Sequence, residues 1–287
     1  MYYDTKTTDA EELLARTGDS EVIMIANNPL PGSVTDSAPN LKMISVAFTG
    51  YDHLDMQSCR KRGITVSNCA GYSNETVAEL VIGMAVAAYR KMTLADSIIR
   101  KGGTSAGIGG REIAGRPVGI IGLGRIGFRV AELFRAFGAE VVAFSRHENE
   151  AAKAMGVRYV SLEELLRCAD IVSINLPMND ETRGFLSRER IAMMRKDAVL
   201  INCARGPIVD NRALADALNE DRIAFACVDV FDMEPPIPEE YPLLHAKNTF
   251  LTPHQAYISE EAMVRRSKIA FYNVYAYLDG APVNVCK

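Results

Sequence analysis

Residues 118–130 read VGIIGLGRIGFRV, and no other stretch limits the possible folds of this chain as tightly. A short apolar run leads into glycines 122, 124 and 127, and an amphipathic stretch, RIGFRVAELFRAFG, follows. At this spacing Gly122 permits a tight strand-to-helix turn, Gly124 leaves a bare backbone, and Gly127 lets the helix pack close to the strand. A bare backbone beside the positive end of a helix suits a pyrophosphate. The pattern therefore predicts a dinucleotide-binding βαβ unit, with Arg125 and Ile126 opening its helix. Glycines alone also make ordinary turns; the strand before them and the helix after them give the motif its weight.

The rest of the chain keeps the same alternation. EVIMIAN (21–27), LKMISVAF (41–48) and GITVSNC (63–69) read as buried strands, with NPLPGS as a loop and residues 73–92 as a helix. A glycine-rich passage at 101–116 breaks the pattern and is the candidate crossing between domains. From 117 onward, near-continuous apolar strands alternate with helices, which predicts a parallel sheet covered on both faces. The fold class expected is α/β in two domains. Residues 92–255 make the Rossmann domain, and 1–91 with 256–287 make the other, to which the final helix (259–280) returns.

Composition excludes several classes. A net charge of −4 and a pI near 5.7 do not suit a general polyanion binder, so no nucleic-acid partner is expected. The six cysteines show no CxxC pair and sit mostly in apolar stretches, as small hydrophobes in a reducing compartment. No metal is expected. MYYDTKTTDAEE has neither the basic head nor the apolar run of a leader. The longest apolar run, 77–89, is too short to span a bilayer and carries Glu79. A cytoplasmic protein without membrane contact is expected.

Ligands of an open parallel sheet sit at the carboxyl ends of its strands. Three such ends are unusually polar: NCARGP (202–207), VDVFDMEP (228–235) and TPHQAY (252–257). They supply Arg205, Asp229, Glu234 and His254. Arg can clamp a carboxylate with two parallel donors. His can exchange a proton near neutrality, and a carboxylate such as Glu234 beside it favours its charged form. Together these types suit reduction of a 2-keto acid by a nicotinamide. Each also has a plainer reading: His254 capping a loop, Arg205 in a surface ion pair, Glu234 a solvated charge, Asp229 capping a turn.

The strand VVAFSRH (141–147) ends in Ser145, Arg146 and His147, where an acidic residue usually holds the adenosine ribose hydroxyls. Donors and one fixed positive charge suit a 2′-phosphate instead, so NADP(H) is favoured over NAD(H). The alternative is an Arg146 that points to solvent.

GIIGLGRIG, INLPMNDETRGF, LINCARGPIVD, VDVFDMEPP and TPHQAY, in this order, resemble the D-isomer-specific 2-hydroxyacid dehydrogenases, the group with glyoxylate and hydroxypyruvate reductases. The resemblance spans nearly the whole chain. It implies a Rossmann domain inserted in a smaller flavodoxin-like substrate domain, and a substrate of the glyoxylate, hydroxypyruvate or pyruvate class. Arg205 would bind the substrate carboxylate, His254 would be the acid/base and Glu234 its partner. Thr49, Gly50 and Tyr51 would contact substrate, and Thr76 would touch the cofactor phosphates. Arg125 and Ile126 would hold the pyrophosphate. Leu176, Pro177 and Thr182 would line the adenosine side, and Cys203, Ala204 and Asp229 the nicotinamide end. The family implies a homodimer joined through the Rossmann domain, with 92–116 as the arm. Family members normally carry a further strand and helix ahead of the segment matching YYDTKT; if the chain starts where this sequence does, the first sheet lacks that strand, and a misplaced start is the alternative. A family-like cofactor-sensing binding protein or corepressor with little turnover is the alternative function.

Overall fold

The computed structural model describes residues 1–286, which form two compact units, residues 1–73 with 258–286, and residues 74–257. The first holds three parallel strands in the order β1 (Val22–Ile25), β2 (Met43–Val46) and β3 (Thr65–Ser67). β2 is buried throughout, as expected of the middle strand. The final helix, Glu260–Leu278, belongs to this unit, as its sequence position suggested. It is tied to the sheet by Ser45 Oγ donating to the Ala270 carbonyl, and Asn273 Nδ2 donates to the Asn68 carbonyl. The unit also holds three helices that the sequence pattern does not signal: Ala10–Thr17, Gly32–Ser37 and Met56–Lys61. Two of them are under two turns long, too short for an apolar period to register. Gly32–Ser37 also takes the last two residues of the segment read as the loop NPLPGS.

The second unit is built on seven parallel strands: β4 (Pro117–Ile121), β5 (Glu140–Phe144), β6 (Arg158–Tyr159), β7 (Ile171–Ile174), β8 (Val199–Asn202), β9 (Phe225–Val228) and β10 (Thr249–Leu251). Their order across the sheet is β10-β9-β8-β7-β4-β5-β6. The chain thus starts in the middle, winds outward to β6, then returns past β4 to β7 and winds the other way. That reversal between β4 and β7 is the switch point of a doubly wound sheet, where the carboxyl ends leave a crevice.

Alternate strand residues feed two cores. Ile121, Val172, Ile174, Leu200 and Val228 face one layer, with Leu165 and Leu214 from the helices. Val118, Ile120, Val141, Ile171 and Ile201 face the other, with Met84, Val130 and Phe134. Burial on both sides explains why these strands read as continuous apolar runs rather than alternating ones.

The helix Asn74–Tyr89 packs on the helix Arg125–Ala136 and the nearby strands, which places it in the second unit. The unit boundary is therefore at 73/74, where the sequence suggested 91/92. The apolar face of this helix, Ala78, Val81, Met84 and Ala85, is used up by the Rossmann core. The helix expected to run to residue 92 stops at Tyr89, and after Lys91, at φ 51°, a second helix, Met92–Arg100, starts. Among the described residues, no helix is long and apolar enough to cross a membrane.

Candidate active site

The glycine turn sits at the carboxyl end of β4. Gly122 has φ 92°, and a Cβ there would come within 2.7 Å of the Asn175 carbonyl oxygen, so the turn is seated on the end of β7. A Cβ on Gly127 would lie 2.0 Å from the Gly122 carbonyl oxygen. Gly124 differs: its φ is −76°, and a Cβ there would meet nothing within 4 Å. Chain geometry therefore explains the first and third glycines but not the second. Gly124 also leaves the twelve-residue helix Arg125–Ala136 without a side-chain cap. An uncapped helix start under open space fits a pyrophosphate, so the residues present suit a dinucleotide.

Around this turn, Leu176 and Pro177 follow β7, and Leu176 lies against Gly122. Thr182 Oγ1 donates to the Pro177 carbonyl at 2.6 Å and accepts from the Asn179 amide, closing their loop. Thr76 is half-buried in the first turn of the helix Asn74–Tyr89, where the adjacent Glu75 pairs with Arg129 at 2.7 Å. Beyond β5, Ser145 is half-buried while Arg146 and His147 are exposed. Arg146 Nη1 lies 3.4 Å from Glu181 Oε2, and both side chains are more than two-thirds exposed. Arg146 thus has an anionic neighbour on the loop after β7, a feature the sequence did not reveal.

At the other arm of the sheet, β8, β9 and β10 lie side by side, with Asn202 opposite Val228 and Val228 opposite Leu251. Parallel pairing in this register delivers Arg205, Glu234 and His254 to one edge. His254 Nδ1 is 2.9 Å from both Glu234 carboxylate oxygens. Its ring stacks edge-on against Tyr257, with centroids 5.4 Å apart. The His254 side chain is one-quarter exposed and that of Glu234 two-thirds exposed, so the pair borders solvent on the carboxylate side. Arg205 is half-buried, and its Nη1 donates to the Ala204 carbonyl at 2.8 Å. Asn202 holds this loop from below: its Nδ2 donates to the Arg205 carbonyl and its Oδ1 accepts from the Ala204 amide, both at 3.0 Å.

Asp229 is fully buried, and its carboxylate is occupied by the chain itself. Oδ1 accepts from Thr252 Oγ1 at 2.5 Å and the Gln255 amide at 2.9 Å, while Oδ2 accepts from the Ala256 amide at 2.8 Å. The Asp229 carbonyl accepts from the His254 amide at 2.8 Å. His254 itself stands at φ 56°, a backbone conformation side chains rarely adopt, and this cage holds it there. Burial pushes the Asp229 carboxyl up, while the Thr252, Ala256 and Gln255 donors pull it back. Cys203 Sγ packs 3.6 Å from Met84 Sδ, and burial pushes its thiol well up.

Thr49, Gly50 and Tyr51 belong to the first unit, after β2, where Asn68 Nδ2 donates to the Thr49 carbonyl at 2.7 Å. Sequence reasoning missed Thr252, Asn202, Tyr257 and Gly206. Each adjoins a motif residue; Thr252 and Gly206 meet partners on another strand end, whereas Asn202 and Tyr257 brace residues of their own.

Residues 82–256 match the family described as D-isomer specific 2-hydroxyacid dehydrogenase, NAD binding domain. The chain is 32% identical to a hydroxypyruvate reductase of Blautia hydrogenotrophica, over 99% of this chain and 90% of the relative. Among solved structures it is similar to an acyclic imino acid reductase in complex with NADPH and D-arginine, at a TM-score of 0.91 and 31% identity over 97% of this chain and 89% of that one. It is also similar to D-lactate dehydrogenase from Aquifex aeolicus complexed with NAD and lactic acid, at a TM-score of 0.87 and 30% identity over 95% and 86%. This chain belongs to the D-isomer-specific 2-hydroxyacid dehydrogenase family, NAD(P)-dependent enzymes that exchange hydride with 2-keto acids.

Proposed function

We propose that this protein reduces a small 2-keto acid of the glyoxylate, hydroxypyruvate or pyruvate class to the D-2-hydroxy acid, with Arg205, Glu234 and His254 as its catalytic set. The observation that carries the reading is the contact of His254 Nδ1 with both oxygens of Glu234 at the carboxyl edge of a doubly wound sheet. The nicotinamide, when bound, supplies the hydride. Arg205 clamps the substrate carboxylate through two parallel N–H donors. With Nδ1–H donating to Glu234, the ring of His254 is held in one orientation and Nε2 carries the transferable proton. The carbonyl oxygen takes that proton as its carbon becomes tetrahedral, which leaves a neutral imidazole beside an ionised Glu234. Glu234 stabilises the charged imidazole again when a solvent proton returns. Gly122, Gly124, Gly127 and the start of the Arg125–Ala136 helix would hold the pyrophosphate.

Ser145, Arg146 and His147 favour NADP(H), because they present donors and a fixed charge to a 2′-phosphate; the phosphate would take Arg146 over from Glu181. The helix Met92–Arg100 buries none of its residues and exposes Met92, Leu94 and Ile99. A homodimer that covers this face accounts for it. A cytoplasmic location accords with the six free cysteines.

The deciding experiment incubates purified protein with NADPH or NADH and a panel of glyoxylate, hydroxypyruvate and pyruvate, following loss of reduced-nicotinamide absorbance. Turnover that disappears in His254→Gln is expected. Tight cofactor binding without turnover of any acid in the panel would favour a cofactor-sensing protein and sink the reductase reading.

A further inference from the structure

Asp232 lies two residues before Glu234 on the same loop, and its carboxylate is held from two sides. Oδ1 accepts from Asn211 Nδ2 at 2.8 Å, and Oδ2 accepts from the Tyr241 hydroxyl at 2.8 Å. Asn211 Nδ2 also donates to the Gly206 carbonyl at 3.2 Å, on the loop that carries Arg205. Asn211 and Tyr241 are both buried. Under these bonds the two loops touch backbone to backbone: a Cβ on Gly206 would lie 1.9 Å from the Phe231 carbonyl oxygen and 2.7 Å from the Asp232 amide nitrogen. The Tyr241 ring packs edge-on against Phe231 at 5.7 Å. Glu234, by contrast, has a largely exposed side chain, so its own burial cannot hold it in place.

We propose that Asn211, Asp232 and Tyr241 form a clamp that positions Glu234 against His254 and fixes the Glu234 loop to the Arg205 loop. They are positioning residues, acting through Glu234 rather than on the reacting atoms. The inference rests on the reading of His254 and Glu234 as the acid/base pair. Asp232 serves here as a double acceptor between two donors, and its geometry matters more than its charge.

The test is a set of single and double variants assayed for kcat and KM, with thermal melts alongside. Tyr241→Phe and Asp232→Ala should lower kcat about three- to tenfold while leaving KM for the cofactor unchanged. Asp232→Asn should keep most of the activity, because its amide still accepts from Asn211 and can donate to the Tyr241 oxygen. Combined with Glu234→Ala, neither Tyr241→Phe nor Asp232→Ala should cost further kcat, since nothing is left to position. Full, additive losses on the Glu234→Ala background would overturn the clamp, and so would Asp232→Asn falling as far as Asp232→Ala. A Glu234→Gln enzyme with unchanged kcat would remove the acid/base pair itself, which is a separate and recognisable failure.

Discussion

Gly127 approaches the Gly122 carbonyl so closely that a methyl group on Gly127 would sit 2.0 Å from that oxygen, whereas Gly124 between them faces open space. Two similar substitutions should therefore fail differently. Gly127→Ala forces a backbone shift and should cost about 3 kcal/mol or more of stability, as overpacking against backbone does. Gly124→Ala should melt close to the wild type yet weaken NADPH binding at least tenfold, because its methyl fills the place of the pyrophosphate. Thermal melts and a cofactor titration by nicotinamide fluorescence check both. Unchanged affinity in Gly124→Ala contradicts the proposed phosphate site.

His254→Gln should lower kcat by about 10²–10⁴, the range for a lost general acid, with cofactor affinity nearly intact. Glu234→Gln keeps the shape but not the charge and should lose less. Stopped-flow single turnovers with saturating NADPH separate chemistry from binding. Equal loss of both in His254→Gln would mean that the ring is structural, part of the cage built on Asp229.

Arg205→Lys replaces a planar fork by a point charge, so the apparent KM for the keto acid should rise at least tenfold while KM for the cofactor holds. Steady-state kinetics across the substrate panel read this directly. An unchanged KM removes Arg205 from the role of carboxylate clamp.

Arg146→Asp should shift the NADPH/NADH ratio of kcat/KM toward NADH by about tenfold or more, through repulsion of a 2′-phosphate and new acceptors for the ribose hydroxyls. Because Arg146 and its neighbour Glu181 are mostly exposed, their ion pair contributes little to stability, and melting should not change. A ratio that stays put refutes the NADP(H) preference.

All six cysteines have thiols pushed up by burial, and those of Cys69 and Cys286 reach about 11 from an ordinary 9.0. At pH 8 such a thiol carries about 100-fold less thiolate than an unshifted one. Native protein should thus react slowly with Ellman's reagent, and all six cysteines quickly after denaturation. Since the folded values lie above the unfolded ones, this contribution to stability is complete below pH 9. It is lost as pH rises from about 9 through about 11, which melts across that range would reveal. Fast labelling of native protein at pH 8 would contradict this burial.

The sequence by itself determined the doubly wound sheet, the glycine turn, and the arrival of Arg205, Glu234 and His254 at one edge. Strand period, glycine spacing and the order of strand ends are local signals, and parallel winding converts that order into adjacency. The tertiary structure alone decided what those residues lean on. Asp229 reads as a site residue, yet its carboxylate is caged by Thr252, Gln255 and Ala256, donors that the pairing of β9 with β10 brings to it. Gly206 is required because Phe231 and Asp232 press on it, and Asn211 and Tyr241 grip Asp232 across two loops. The unit boundary also moved to residue 73, since the apolar face of the helix Asn74–Tyr89 does not say which core will cover it. A residue's type shows what it can bond or bury; only the register and packing of distant segments decide which partner it meets.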